Sequence, residues 1–217
     1  MTRFVWLHGF ASGPTSSKAQ FARTRLAERG AELAIPDLNQ PGFRALTVSR
    51  MLEQVDAIAR GAGPLVLFGS SLGGFTAATW AATRPGRSAA LVLLAPAFDL
   101  AARWEERMGR EVEAWRSRGA YAFDHHARGR KEELAFGFLE DARRHPGFPL
   151  PECPALVVQG TLDEVVDPSL ARAFVSRMQG RARLVELPEG HELTGDLPAL
   201  WRRMEEFLQP WLPRPTP

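Results

Sequence analysis

Six short, largely apolar runs, at 4–8, 32–36, 65–69, 90–95, 155–159 and 184–187, recur along the chain with longer helix-patterned stretches between them. Runs this short and this apolar have no solvent face, so as strands they need cover on both sides. A parallel sheet wrapped by crossover helices supplies that cover. The helices expected between them are 18–29, 44–60, 72–84, 168–179 and 197–208. Gly30, Gly61 and Gly180 stand just past three helix ends, Pro85 stops another and Pro168 opens one, which is the asymmetry that helix termini favour. The chain is therefore read as α/β, with about six parallel strands and helices on both faces. The closing Pro-Arg-Pro-Thr-Pro is expected to fray.

The length of 217 residues suits one domain, 1–217, with an elaboration. That elaboration is 98–150, which reads as a helical cap insertion without strands. It holds Trp104, Trp115, Tyr121, Phe123, Phe136, Phe138 and Phe148, more aromatic surface than solvated helices need. Each one taken singly serves to dock the cap, and as a group they are able to line a pocket.

A hydrophobic fraction of 45% and a charged fraction of 24% are those of an ordinary globular chain. No apolar run is long enough to cross a membrane, and Met1-Thr2-Arg3 leads into a strand rather than a secretory pattern, so the expected location is cytoplasmic. The 27 basic and 25 acidic residues leave a net charge of +2, and arginines alternate with Asp and Glu through 103–118. Charge mixed in this way is a solvated surface, and no nucleic-acid partner is expected. A single cysteine, Cys153, excludes an intrachain disulfide and a thiolate-rich metal site, and it reads as a small buried hydrophobe.

The sharpest chemical signal is Gly69-Ser70-Ser71-Leu72-Gly73-Gly74, between the run at 65–68 and the helix from about 72. A strand that reverses into a helix this tightly needs glycine on both sides of the turn, and the residue between them is held out with a strained backbone. Ser71 has that place. Ser70 is the competitor, disfavoured because it is not centred between Gly69 and Gly73. The bland alternative is a glycine-rich turn with a capping serine.

A serine hydroxyl needs a general base. His191, in Pro188-Glu189-Gly190-His191-Glu192 after the last strand, is the choice over His8, His125, His126 and His145. An acid partner is expected from the loop after the preceding strand, where Asp163, Glu164 and Asp167 all stand. Asp167 directly precedes Pro168 and is explained as a helix cap, so Asp163 is preferred and Glu164 is the substitute. For an oxyanion, Leu7-His8-Gly9-Phe10 offers the Phe10 amide, with the amide of Leu72 following the serine. His8 would brace that loop.

Taken together, Leu7 to Phe10, Ser16-Ser17-Lys18-Ala19, the Gly69 to Gly74 turn, Gly160 to Asp163 and Gly190-His191 resemble the YqiA-like small bacterial esterases of the α/β-hydrolase superfamily. Cys153-Pro154 and Asp163-Glu164-Val165-Val166 are also similar to abhydrolase-domain acyl thioesterases. The resemblance implies a minimal α/β-hydrolase fold and cofactor-free cleavage of carboxylic esters or acyl thioesters. It further implies a triad of Ser71, Asp163 and His191, a small-molecule acyl substrate, no metal, and a strand order that reverses beside Ser71. A homodimer stays open. The same triad acting on an amide, C–C or peroxy-acid bond is one alternative, and a non-catalytic ligand-binding module on this scaffold is another.

Overall fold

The structure is a computed structural model that describes residues 2–213. Its centre is a six-stranded, all-parallel sheet made of β1 (Arg3–Leu7), β2 (Leu33–Ala34), β3 (Leu65–Ser70), β4 (Ser88–Leu94), β7 (Ala155–Gly160) and β8 (Ala182–Leu187). The strand order is β2-β1-β3-β4-β7-β8. The order reverses between β1 and β3, so the loops leaving their carboxyl ends diverge and open a crevice, the place where ligands bind in such sheets.

Alternate residues of each strand serve opposite faces. Phe4 and Trp6 of β1 join Val66, Phe68 and Val92 under α1 (Ser17–Ala27) and α8 (Leu197–Leu208). Val5 and Leu7 join Leu67 and Leu91 under α2 (Val48–Ala59), α3 (Leu72–Thr83) and α7 (Pro168–Arg177). The result is a three-layer sandwich. Every residue of α3 from Leu72 to Ala81 is buried, and its glycines and alanines let it lie close against β1 and β3. Side-chain caps begin three helices: Thr47 accepts from the Arg50 amide, Asp167 from Ser169 and Asp196 from Ala199.

Two expected boundaries move. The second strand is only Leu33–Ala34, since it lies at the sheet edge and Pro36 has no N–H with which to extend the ladder. The helix expected from 44 starts at Val48, because Phe43–Ala45 forms a separate 3-10 turn before Thr47 caps the helix. The fraying expected of the last residues falls on 214–217, outside the described residues.

The insertion between β4 and β7 corrects the expectation that it holds no strand. It is helical at both ends, with α4 (Leu100–Met108), α5 (Glu111–Arg118) and α6 (Gly137–Ala142). Its middle is an antiparallel hairpin, β5 (Ala120–His125) and β6 (Arg130–Ala135), paired from Ala120–Ala135 to His125–Arg130. Only one face of the hairpin is covered; Lys131 and Glu133 lie on the other, and the unbroken charged run Arg130 to Glu133 looks like a solvated helix in sequence. The Trp115 indole donates to the Leu134 carbonyl at 2.9 Å and ties α5 to the hairpin. Among the described residues, no helix is long and apolar enough to cross a membrane.

Candidate active site

The β3–α3 turn is built by exclusion of side chains. A Cβ on Gly69 would come within 2.6 Å of the Gly73 and Gly74 main chain, and one on Gly73 within 2.7 Å of the His8 carbonyl oxygen. Between them Ser71 sits at φ 52, ψ −115, a conformation that non-glycine residues seldom adopt. Four backbone hydrogen bonds hold it there. Its N–H donates to Leu94, and its carbonyl accepts from Gly74, Phe75 and Ala97. The Ser71 side chain is left at the head of α3 and, among the described residues, makes no hydrogen bond within the protein.

The loop after β1 lies against this turn. A Cβ on Gly9 would stand 3.4 Å from the Ser71 Cβ, so Gly9 allows the loop to pass the serine at van der Waals contact. Among the described residues, the amides of Phe10 and Leu72 have no acceptor within the protein. His8 braces the loop: the Leu38 amide donates to His8 Nε2 at 2.9 Å, and His8 Nδ1 meets the Gly9 carbonyl at 2.9 Å. A ring that accepts at Nε2 and donates from Nδ1 is neutral, in keeping with burial, which pulls its pKa below the usual histidine value.

At the far side of the sheet, Asp163 follows β7 and His191 follows β8. His191 Nδ1 is 2.8 Å from Asp163 Oδ2, and the aspartate side chain is fully buried. Asp163 Oδ1 accepts from the amides of Val165 and Val166 at 2.8 and 2.9 Å. Burial alone would raise the Asp163 carboxyl. The His191 hydrogen bond, those two amides and the charge of the imidazolium outweigh burial and hold it below the usual carboxylate range. The two loops close on each other through Leu162 N–H to the Glu189 carbonyl, 3.0 Å, and a side chain at Gly160 would collide with the Glu189 and Gly190 carbonyls.

Thus Asp163 and His191 are joined, Ser71 stands beside the Gly9–Phe10 loop, and the Ser71 and His191 side chains are not hydrogen-bonded to each other. Asp167 caps α7 as expected, and Glu164 is exposed. His126 is exposed, while His125 is buried with its ring edge-on to Phe43. His145 is engaged elsewhere, beside Asp141 and Ser49. Among the described residues, no group of three or more His, Cys, Asp or Glu is gathered as a metal ion requires.

The family described as "Uncharacterised protein family (UPF0227)" matches residues 3–209. The chain belongs to the UPF0227 family. No curated protein matches it significantly. Three solved structures show what the fold of this UPF0227 chain resembles. A protein from Agrobacterium vitis S4 assigned as a hydrolase is 23% identical with a TM-score of 0.83, over 97% of this chain and 88% of its own. Alpha/beta hydrolase domain-containing protein 10 from mouse is 20% identical with a TM-score of 0.78, over 95% and 89%. Est1E from Butyrivibrio proteoclasticus, solved with ferulic acid bound, is 19% identical with a TM-score of 0.77, over 97% and 89%. The fold is that of the α/β-hydrolases, as the resemblance implied.

One participant in the UPF0227 site escaped sequence reasoning. Gln159, wholly buried at the end of β7, donates from Nε2 to Asp163 Oδ2 at 2.8 Å. A lone amide closing the apolar run Ala155-Leu156-Val157-Val158 was the available signal, since a buried polar group must find a partner.

Proposed function

We propose that this protein is a serine hydrolase that cleaves carboxylic esters or acyl thioesters of small molecules. The observation that carries the reading is the Asp163–His191 pair, 2.8 Å apart, on the same sheet end as a serine held at φ 52. In this reading Ser71 Oγ attacks the acyl carbon and His191 Nε2 takes its proton. The Asp163 carboxylate holds the imidazole by Nδ1–H and stabilises its charged form. The free Phe10 and Leu72 amides receive the oxyanion, and the amino-terminal end of α3 adds its positive dipole there. His191 returns the proton to the departing alcohol or thiol. Water, activated by the same imidazole, then releases the acid from Ser71. In this reading the Ser71–His191 hydrogen bond forms when substrate is bound, as catalytic hydrogen bonds often tighten only in the Michaelis complex.

The 98–150 insertion is the cap in this reading. The Phe10 ring packs edge-on to Trp104 and Phe123, with centroids 4.9 and 5.4 Å away, so the oxyanion loop and the cap aromatics form one surface on which an acyl group would lie.

The test is hydrolysis of p-nitrophenyl esters from acetyl to palmitoyl, beside the matching acyl-CoA thioesters, by wild type and Ser71→Ala. Turnover on at least one series, lost in the folded variant, is expected. A Ser71→Ala protein as active as wild type overturns the assignment, and silence of wild type on both series moves the reading to another bond or to binding without turnover.

A further inference from the structure

Only two residues of this chain are lysine, Lys18 and Lys131, against 25 arginines, and Lys18 is buried. Lys18 lies in the first turn of α1, just after the loop that carries Gly9 and Phe10. Its ammonium crosses to the loop after β8 and donates to the main-chain carbonyl of Glu192, the residue next to His191. The Glu192 carboxylate is 3.9 Å away. Burial pushes the Lys18 ammonium below the ordinary lysine pKa, and Glu192, Glu189 and Asp163 oppose that push.

An apolar side chain of the same length would fill this space with no charge to desolvate, so packing does not account for a lysine here. A guanidinium does not substitute for it either, because its planar fork is shaped for paired acceptors, whereas a compact ammonium suits one carbonyl. The neighbouring hydrogen bonds indicate what the charge does. Ahead of His191 the loop is tied to the β7 side through Leu162 N–H and the Glu189 carbonyl. Beyond His191, among the described residues, Lys18 makes the one hydrogen bond from another element to the main chain of 190–194. Leu193, two residues past the histidine, is also kept at φ 49.

We propose that Lys18 is a positioning residue: by holding the Glu192 carbonyl it fixes the 188–194 loop, and with it the His191 imidazole between Asp163 and Ser71. It thereby couples the oxyanion side of the crevice to the general-base side. This inference rests on the serine-hydrolase reading for its effect on rate, while the loop restraint itself does not.

The experiment compares full-length wild type and Lys18→Met by steady-state ester hydrolysis, thermal melting and amide hydrogen exchange of 188–194. Lys18→Met is expected to lose about tenfold in kcat with KM changed by less than about twofold, and to speed exchange of the loop about tenfold while β3 and β4 stay protected. Native kcat together with native loop exchange overturns the proposal. Should Lys18→Met fail to fold, Lys18→Gln, which removes the charge but keeps a polar end, is read by the same criteria. If wild type itself hydrolyses no ester or thioester, the parent reading falls. Loop exchange then decides alone, with faster exchange upholding the restraint and unchanged exchange overturning it.

Discussion

Gln159 Nε2 and His191 Nδ1 meet the same oxygen, Asp163 Oδ2, each at 2.8 Å. The carboxylate therefore has four donors, two on each oxygen, and cannot rotate without breaking them. A hydrogen bond to a charged group is worth about 1.5–3 kcal/mol. Gln159→Leu is accordingly expected to cut kcat for ester hydrolysis about tenfold with little change in KM, because in the proposed mechanism the lost contact orients Asp163 and His191 rather than the substrate. Steady-state kinetics on the best ester substrate would check this, and an unchanged kcat would remove Gln159 from the site.

The turn that presents Ser71 should tolerate no side chain at Gly73. A methyl there would fall 2.7 Å from the His8 carbonyl oxygen, and both α3 and β1 are locked in the core. Gly73→Ala is expected to destabilise the fold by about 3 kcal/mol or more, read as a lower midpoint in urea. Gly30→Ala meets no steric neighbour and serves as the comparison, paying only for its φ of +70.

Asp141 on α6 anchors the cap to α2. It accepts from the Ser49 amide at 2.8 Å and from the Ser49 hydroxyl at 2.6 Å, with His145 Nε2 3.5 Å away. Burial would raise its pKa, but the His145 and Ser49 bonds prevail and lower it to about 2. A carboxyl depressed on folding stabilises above its unfolded value, and that stability drains away as pH falls toward the folded value. Asp141→Asn should therefore cost about 1–2 kcal/mol at neutral pH, with the gap to wild type closing below about pH 4. Urea melts at several pH values measure it, and a gap independent of pH would show that the ionised form does not hold the cap.

Phe10 offers a different separation. Its amide has no acceptor among the described residues, while its ring packs tilted or edge-on among Phe43, Trp104, Phe123 and Phe138. Phe10→Ala keeps the amide and removes the ring, for a stability loss of about 2 kcal/mol at this half-buried position. KM for aryl or long acyl esters should rise while Ser71 still reacts with a fluorophosphonate. Loss of labelling with an intact fold would mean that the ring is needed to place the loop itself.

Much of this architecture was legible because local sequence had no competing option. Runs such as Leu65 to Phe68 have no polar face and must be buried on both sides. Glycines at 69 and 73 answer a clash that occurs within a few residues of chain. Asp167 before Pro168 is a helix start in any context. The hairpin at Ala120–His125 and Arg130–Ala135 was hidden because the unbroken charges of Arg130 to Glu133 read as a solvated helix, and only the core beneath it reveals which face is inner.

Sequence by itself determined the α/β alternation, the serine at the turn and the order in which Ser71, Asp163 and His191 follow, since strand burial and turn sterics act over short stretches of chain. Tertiary structure alone decided which groups meet. The ammonium of Lys18 on the Glu192 carbonyl, 174 residues apart, and the carboxylate of Asp141 on Ser49, 92 residues apart, both join separate elements. Such contacts depend on where the sheet order sends each loop and on how little water reaches it. No spacing along the chain encodes either quantity.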